Sequence, residues 1–319
     1  MEINFDLHCD LTAYLAEPNT SADGDIRCSV SNLKNGNVKF QVMAFYSATK
    51  KGSVDEVKTQ LSRYRDLLAR NDIDEFKPEK FSLHNPKLSV IAAVENASGL
   101  CEEEMPIHLM RENLDNLLSN ADLMYIGLTH HNENRFGGGN YTDVGLKDDG
   151  KQLLDYINHR KIGIDFSHTS DRLAYDVLNY IDQEDLEIPV LASHSNMRSV
   201  FAHPRNLPDE LVKEIIRRDG LIGLNFVKYF VGEETAESIF KHIDYALQLG
   251  AENHLCFGAD FFDDKVHPEQ QKYPFFFEEM GDPSAYSWIN EKVSENYSEE
   301  IKSKISHQNV LNYFARQQG

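Results

Sequence analysis

The stretch Lys161–His194, KIGIDFSHTSDRLAYDVLNYIDQEDLEIPVLASH, decides the fold. Lys161–Ser167 and Pro189–Ser193 are short apolar runs of strand type, and between them Arg172–Tyr180 places apolar residues at helical spacing. Each strand is closed by a histidine, His168 and His194. In a barrel of alternating strands and helices, all such strand ends converge on one rim, where an active site is built.

The same grammar runs outward in both directions. Six further strands are predicted at Ile3–Cys9, Val38–Tyr46, Leu88–Val94, Leu123–Thr129, Leu221–Phe226 and Leu255–Ala259. Amphipathic helices are predicted at Val54–Arg70, Leu109–Leu118, Gly150–Asn158, Pro208–Arg218 and Ala236–Leu249. Eight strands alternating with helices predict an α/β (β/α)8 TIM-type barrel, read as one domain over residues 1–319. Two intervals break the rhythm. Leu11–Asn37 reads as a long irregular loop over the rim, and Phe261–Pro283 as a second excursion, rich in proline and aromatic residues. Loops that long in a compact domain are usually lids or interfaces. The aromatic run Tyr273–Phe277 is a candidate contact for a homodimer. Ser298–Arg316 reads as a closing helix.

Composition narrows the function. A net charge of −20 argues against nucleic acid or anionic membrane as a partner, since phosphate binding needs a basic surface. Acidic runs such as Cys101–Glu104 read as solvated helix faces. The four cysteines show no paired metal spacing and no disulfide framework; Cys9 and Cys256 fall inside predicted buried strands. The first strand starts at about Ile3, and no apolar run approaches the roughly 20 residues of a membrane span. A cytoplasmic protein without leader or anchor is the expectation.

The chemistry-bearing residues all sit at strand ends. His8 and Asp10 are two apart, hence on one face of a strand, and can reach the same ion. Read alone, this pair fits a structural histidine better than a metal site. Glu95 follows the apolar run Leu88–Val94, where a bare buried charge is prohibitive unless it is solvated, paired or coordinated. His168 and His194 add imidazole, the usual zinc donor. Asp260 closes the eighth strand and is placed to shuttle a proton, unless it caps the helix that follows. His130 and His131 follow Thr129; the register favours His130 at the mouth, and a bulge would exchange them. Arg205 is a candidate fork for a substrate carboxylate, or a plain surface arginine. Asp165, inside its strand, receives no role.

The ordered pieces resemble the renal (membrane) dipeptidase family of zinc peptidases, within the amidohydrolase-type barrels. They are Asp6-Leu-His-Cys-Asp-Leu11, Phe45-Tyr-Ser47 (near the family's Phe-Trp-Ser), Ala93-Val-Glu95, Leu128-Thr-His-His-Asn132, Ile164-Asp-Phe-Ser-His168, Ser193-His-Ser195, Arg205-Asn-Leu-Pro-Asp209 and Gly258-Ala-Asp-Phe261. The resemblance implies two Zn2+ per chain, one held by His8, Asp10 and bridging Glu95, the other by Glu95, His168 and His194. It further implies that Asp260 handles a metal-bridging hydroxide, that His130 contacts the reacting carbonyl, and that Arg205 contacts the carboxyl terminus of a dipeptide. Two close cations lower the pKa of a bridging water from about 16 toward 7. Peptides with a C-terminal D-residue remain open as substrates, as do cobalt or manganese as the metal. The alternative readings are a barrel hydrolase of lactones or cyclic amides, and a metal-binding pseudo-enzyme. The chain departs from the family at Asn96-Ala97, where Gly-Gly is frequent, and at Phe261-Phe-Asp-Asp264, where Phe-Asp-Gly is usual.

Overall fold

A computed structural model describes residues 2–318 apart from positions 233 and 266, with the backbone alone at 318. All eight expected strands are present, parallel, and hydrogen-bonded in sequence order around a nearly closed barrel. They are β1 (Asn4–Cys9), β2 (Val38–Tyr46), β4 (Leu88–Glu95), β5 (Leu123–Gly127), β6 (Gly163–Asp165), β7 (Val190–Leu191), β8 (Ile222–Leu224) and β9 (Leu255–Phe257). A single parallel bridge, Ala192 to Ile222, joins the last gap between β7 and β8. The additional β3 (Ile73–Glu75) pairs with the first residues of β4, below the point where β5 begins.

The strands from β6 onward are shorter than their apolar runs. Side chains take over the hydrogen bonding at their ends: Asp165 Oδ1 accepts the backbone N–H groups of both Ser167 and Ser193. A carboxylate there replaces ladder bonds that longer strands would make.

Strand periodicity aims the site. Ile91 and Ala93 pack in the barrel interior with Phe5, Leu7, Phe40, Val42 and Tyr125, whereas Val90, Ala92 and Val94 face the helical layer. Glu95 shares the parity of Ile91 and Ala93, so it points into the barrel mouth. On β1 a register shift between Asp6 and Cys9 re-aims the strand end, because its inward residues up to that point are Phe5 and Leu7. The bottom of the barrel is sealed by Val310 and Tyr313. They belong to the closing segment, which is α-helical at Glu299–Ser303 and Asn309–Gln318, with a π-turn between at Lys304–Gln308.

The excursions differ from expectation. Leu11–Asn37 is not a bare loop; it carries the helices Leu11–Ala16 and Val30–Asn35, the second capped by Ser29. Six residues are too few to display a helical period. The run Cys101–Glu104 lies in a turn rather than on a helix face. A further helix, Ala285–Asn296, follows the second excursion. Within that excursion Phe275 and Phe276 are buried against Phe262 and Phe261, leaving Tyr273 as the exposed member. The aromatic run is therefore spent largely on this chain's own packing. Cys9 and Cys256 are buried free thiols, as predicted. No helix among the described residues is long and apolar enough to cross a membrane.

Candidate active site

The strand ends bring His8, Asp10, Glu95, His130, His168, His194, Arg205 and Asp260 to one cluster at the rim. Glu95 is its centre. Its Oε2 lies 3.4 Å from His8 Nε2, and its Oε1 lies 2.9 Å from His168 Nε2, 3.7 Å from His130 Nε2 and 3.8 Å from His194 Nε2. The carboxylate thus straddles two groups of donors. His8 Nε2 is also 3.8 Å from Asp10 Oδ1 and 3.7 Å from Asp260 Oδ1. Three sets have donor atoms within 4.8 Å of one another: His8–Asp10–Asp260 and His8–Glu95–His194, which share His8, and His130–His131–His168.

The protonation of the two best-placed imidazoles is fixed by what lies behind them. His8 Nδ1 meets Tyr125 Oη at 2.8 Å, and that hydroxyl spends its own proton on Leu7 O at 2.9 Å. His8 Nδ1 must therefore donate, which leaves Nε2 as the ring atom turned to the cluster. That atom is buried and without a hydrogen-bond partner, as is Asp10 Oδ1. His194 Nδ1 likewise meets Ser193 Oγ at 2.6 Å, and Ser193 Oγ donates to Asp165 Oδ2 at 2.6 Å.

Electrostatics ask for a cation at this place. Burial opposes a charged His8, yet Glu95, Asp10 and Asp260 outweigh it and push the imidazole up to about 10. Burial raises Glu95 too, but His8, His130 and Arg205 hold it down at about 2. Partnerless buried atoms on His8 and Asp10, beside acidic groups that draw positive charge onto His8, fit a divalent ion, since His and carboxylate donors are those of catalytic zinc sites. His168 and His194 are held well below the ordinary imidazole value by burial and Arg205 and so present neutral rings, the form that ligates. Burial brings His130 down to about 3 and Asp260 up to about 6.

Asp260 adopts a left-handed φ of 64°, and its Oδ2 accepts from Asn225 Nδ2 at 2.9 Å. Strain of this kind in a non-glycine residue is typical of active sites. Asn96 is a second such residue, with φ 78°. Glycine is the usual occupant of such a backbone, and Asn tolerates it when its side chain is locally bonded. Here Asn96 Oδ1 accepts from Ser98 N and Asn134 Nδ2, which ties down the loop at Asn96-Ala97. Gly223 and Gly258 are required for another reason: a Cβ on either would lie 1.9 Å from Ser193 O, so the chain carrying His194 presses directly on both.

Arg205 is no surface residue. It is buried, donates to Ser195 Oγ at 2.8 Å and to His168 Nε2 at 3.1 Å, and leaves its Nε–H without a partner. Of the two adjacent histidines, His130 approaches Glu95, while His131 is bound through Nδ1 to Asn140 Oδ1 at 3.0 Å. Sequence reasoning had no means to find Tyr125, Ser193, Asp165 or Asn225. Tyr125 and Asp165 lie inside strands and look like core residues until their neighbours across the sheet are known.

With the geometry in hand, comparison with known proteins is informative. The model of the membrane dipeptidase family (peptidase family M19) matches residues 2–318. The chain belongs to that family. It is a membrane-dipeptidase-like metallopeptidase, a hydrolase. Among solved structures, a dipeptidase of family M19 superposes with a TM-score of 0.83 at 20% identity, covering 99% of both chains. A metallopeptidase from Rhodobacter sphaeroides, liganded with a phosphinate mimic of the dipeptide L-Ala-D-Ala, superposes at 0.82 with 20% identity, over 99% of this chain and 100% of that one. These likenesses bear on the barrel fold. An uncharacterized dipeptidase of Schizosaccharomyces pombe is 25% identical over 249 residues, 71% of this chain and 58% of its own length. An uncharacterized protein of Klebsiella pneumoniae is 27% identical over 214 residues, 62% of this chain and 72% of its own length.

Proposed function

We propose that the whole chain acts as one barrel domain that hydrolyses dipeptides with two zinc ions at the rim. One observation carries the reading: Glu95 turns one oxygen to His8 and the other to His168, beside the partnerless buried atoms His8 Nε2 and Asp10 Oδ1. In this reading His8, Asp10 and Glu95 hold one ion, and Glu95, His168 and His194 hold the other.

When bound, the ions supply hydroxide at neutral pH and polarise the scissile carbonyl. Asp260, brought by burial to about 6, is matched to take a proton from the attacking water and return it to the leaving amine. Asn225 holds its carboxylate toward the cluster. His130 is neutral and offers an N–H to the developing oxyanion, a contribution of about 3 kcal/mol for one such donor. Arg205, with its unpartnered Nε–H, accepts the free carboxylate of a dipeptide and selects short substrates. The L-Ala-D-Ala mimic held by the Rhodobacter sphaeroides relative supports a C-terminal D-residue as an accepted substrate.

The test is hydrolysis of L-L and L-D dipeptides by zinc-loaded and chelated protein, each also supplied as the C-terminal amide. Chelator-sensitive cleavage that requires the free carboxylate is expected. Equal cleavage of acid and amide removes Arg205 from its role; no cleavage by protein holding two zinc ions redirects the search to lactones and cyclic amides.

A further inference from the structure

The three imidazoles of the proposed metal site are backed in three different ways. Behind His194 stands a carboxylate, reached through Ser193 by two contacts of 2.6 Å. Behind His8 stands the neutral Tyr125, itself anchored to a backbone carbonyl. Behind His168 there is no partner, and its Nδ1 is buried.

Proton accounting fixes the direction of the first chain. Asp165 Oδ1 accepts from Ser167 N at 3.1 Å, Ser193 N at 2.8 Å and Ser167 Oγ at 2.8 Å, so the carboxylate is an acceptor throughout. The single proton of Ser193 Oγ goes to Asp165 Oδ2, and the hydroxyl then accepts from His194 Nδ1–H. Nε2 is left to face the cluster, 3.0 Å from His168 Nε2 and 3.8 Å from Glu95 Oε1. Asp165, Ser167 and Ser193 are all buried, so water does not compete for these bonds. The close approach of Gly223 and Gly258 to Ser193 O fixes the backbone from the opposite side.

We infer that Asp165, acting through Ser193, is a positioning residue that locks His194 in its Nδ1–H tautomer and so keeps its Nε2 ready to ligate. A carboxylate behind a ligating histidine orients the ring and raises its basicity, and losing such a partner typically weakens metal binding about 10- to 100-fold. The two ions should therefore be held unequally, with only the one on the His194 side answering to Asp165.

Ser193→Ala is the sharper variant, because it cuts the connection to His194 while leaving the Asp165 Oδ1 bonds that staple β6 to β7. Zinc affinity is measured by competition with a chromophoric chelator, and the His194 tautomer by 15N NMR of the zinc-free protein. One zinc should weaken about 10- to 100-fold, the other stay unchanged, and the His194 ring should become a mixture of tautomers. Wild-type affinities for both ions together with an unchanged tautomer would overturn the inference. The inference rests on the two-zinc reading, and the failures separate: wild-type protein holding fewer than two zinc ions sinks that reading, whereas two ions held equally well by wild type and variant sink the relay alone. If Ser193→Ala fails to fold, Asp165→Asn carries the same affinity test, with the same loss expected and wild-type affinity for both ions as the refuting result.

Discussion

His194 and His242 are both fully buried, yet they belong to regions built on opposite rules. Within the helix Ser238–Gln248, His242 accepts from Met197 N at 3.1 Å through Nδ1 and donates from Nε2 to Val231 O at 2.8 Å. Both ring nitrogens are satisfied by neighbouring backbone, and no carboxylate is needed. At the rim, His8 Nε2 and Asp10 Oδ1 have no hydrogen-bond partner, and His194 Nε2 is turned to another imidazole, His168 Nε2 at 3.0 Å. A buried polar atom without a partner costs about 1–3 kcal/mol, and a fold does not gather such atoms around three acidic residues for stability. The contrast separates a histidine that serves the core from one that serves a ligand, although in sequence both are single histidines among apolar residues.

Exchanging the two roles gives the largest expected effect. His194→Ala removes a proposed zinc donor and should abolish hydrolysis, by about 1,000-fold or more, with one zinc lost per chain by elemental analysis and a preserved circular dichroism spectrum. Near-normal turnover would end the metal reading. The core counterpart should behave in the opposite way. His242→Phe leaves Met197 N and Val231 O unpaired and should cost about 2–4 kcal/mol in urea unfolding. The folded fraction should keep its kcat and both zinc ions.

His242 also sharpens the comparison through pH. Burial brings its pKa down to about 4, against about 6.5 in the unfolded chain. With a depressed folded pKa, its contribution is complete above pH 6.5 and drains away as pH falls toward 4, by up to about 3 kcal/mol. The stability gap between wild type and His242→Phe should accordingly narrow between pH 7 and pH 4.5. A constant gap across that range would show that the imidazole is not held neutral by the fold.

How much of this was legible in the sequence follows the same division. Strands β4 and β5 were readable as runs of mostly apolar residues and β1 and β2 from apolar residues interleaved with polar ones, and the rim residues because they stand at the ends of such segments. Glu95 is the clearest case, since a carboxylate after Leu88–Val94 has few stable fates. The partners behind the ligands were not readable. Asp165 meets Ser193 only because β6 lies beside β7, and Tyr125 meets His8 only across the barrel interior; neither proximity leaves a mark on local spacing. His130 and His131 could not be ranked with certainty by register, and the structure separates them by what each touches. The short helices of Leu11–Asn37 were missed because one and a half turns display no periodicity.

That first excursion supplies the smallest predicted effect. It is tied to the second by Arg27, whose Nε donates to Asp264 Oδ2 at 3.1 Å and whose guanidinium lies 4.8 Å from the ring of Phe276. The two segments leave the rim immediately after Asp10 and Asp260, from strands that are neighbours in the sheet. A tie between them is placed to limit how far the two segments part, without touching any proposed ligand. Arg27→Gln should lower stability by about 1 kcal/mol, since the pair is partly solvated. It should leave zinc content unchanged and shift selectivity: tripeptide cleavage rises a few-fold relative to dipeptide cleavage. An unchanged tripeptide-to-dipeptide ratio, with the stability loss present, would assign exclusion of longer chains to Arg205 rather than to these two segments.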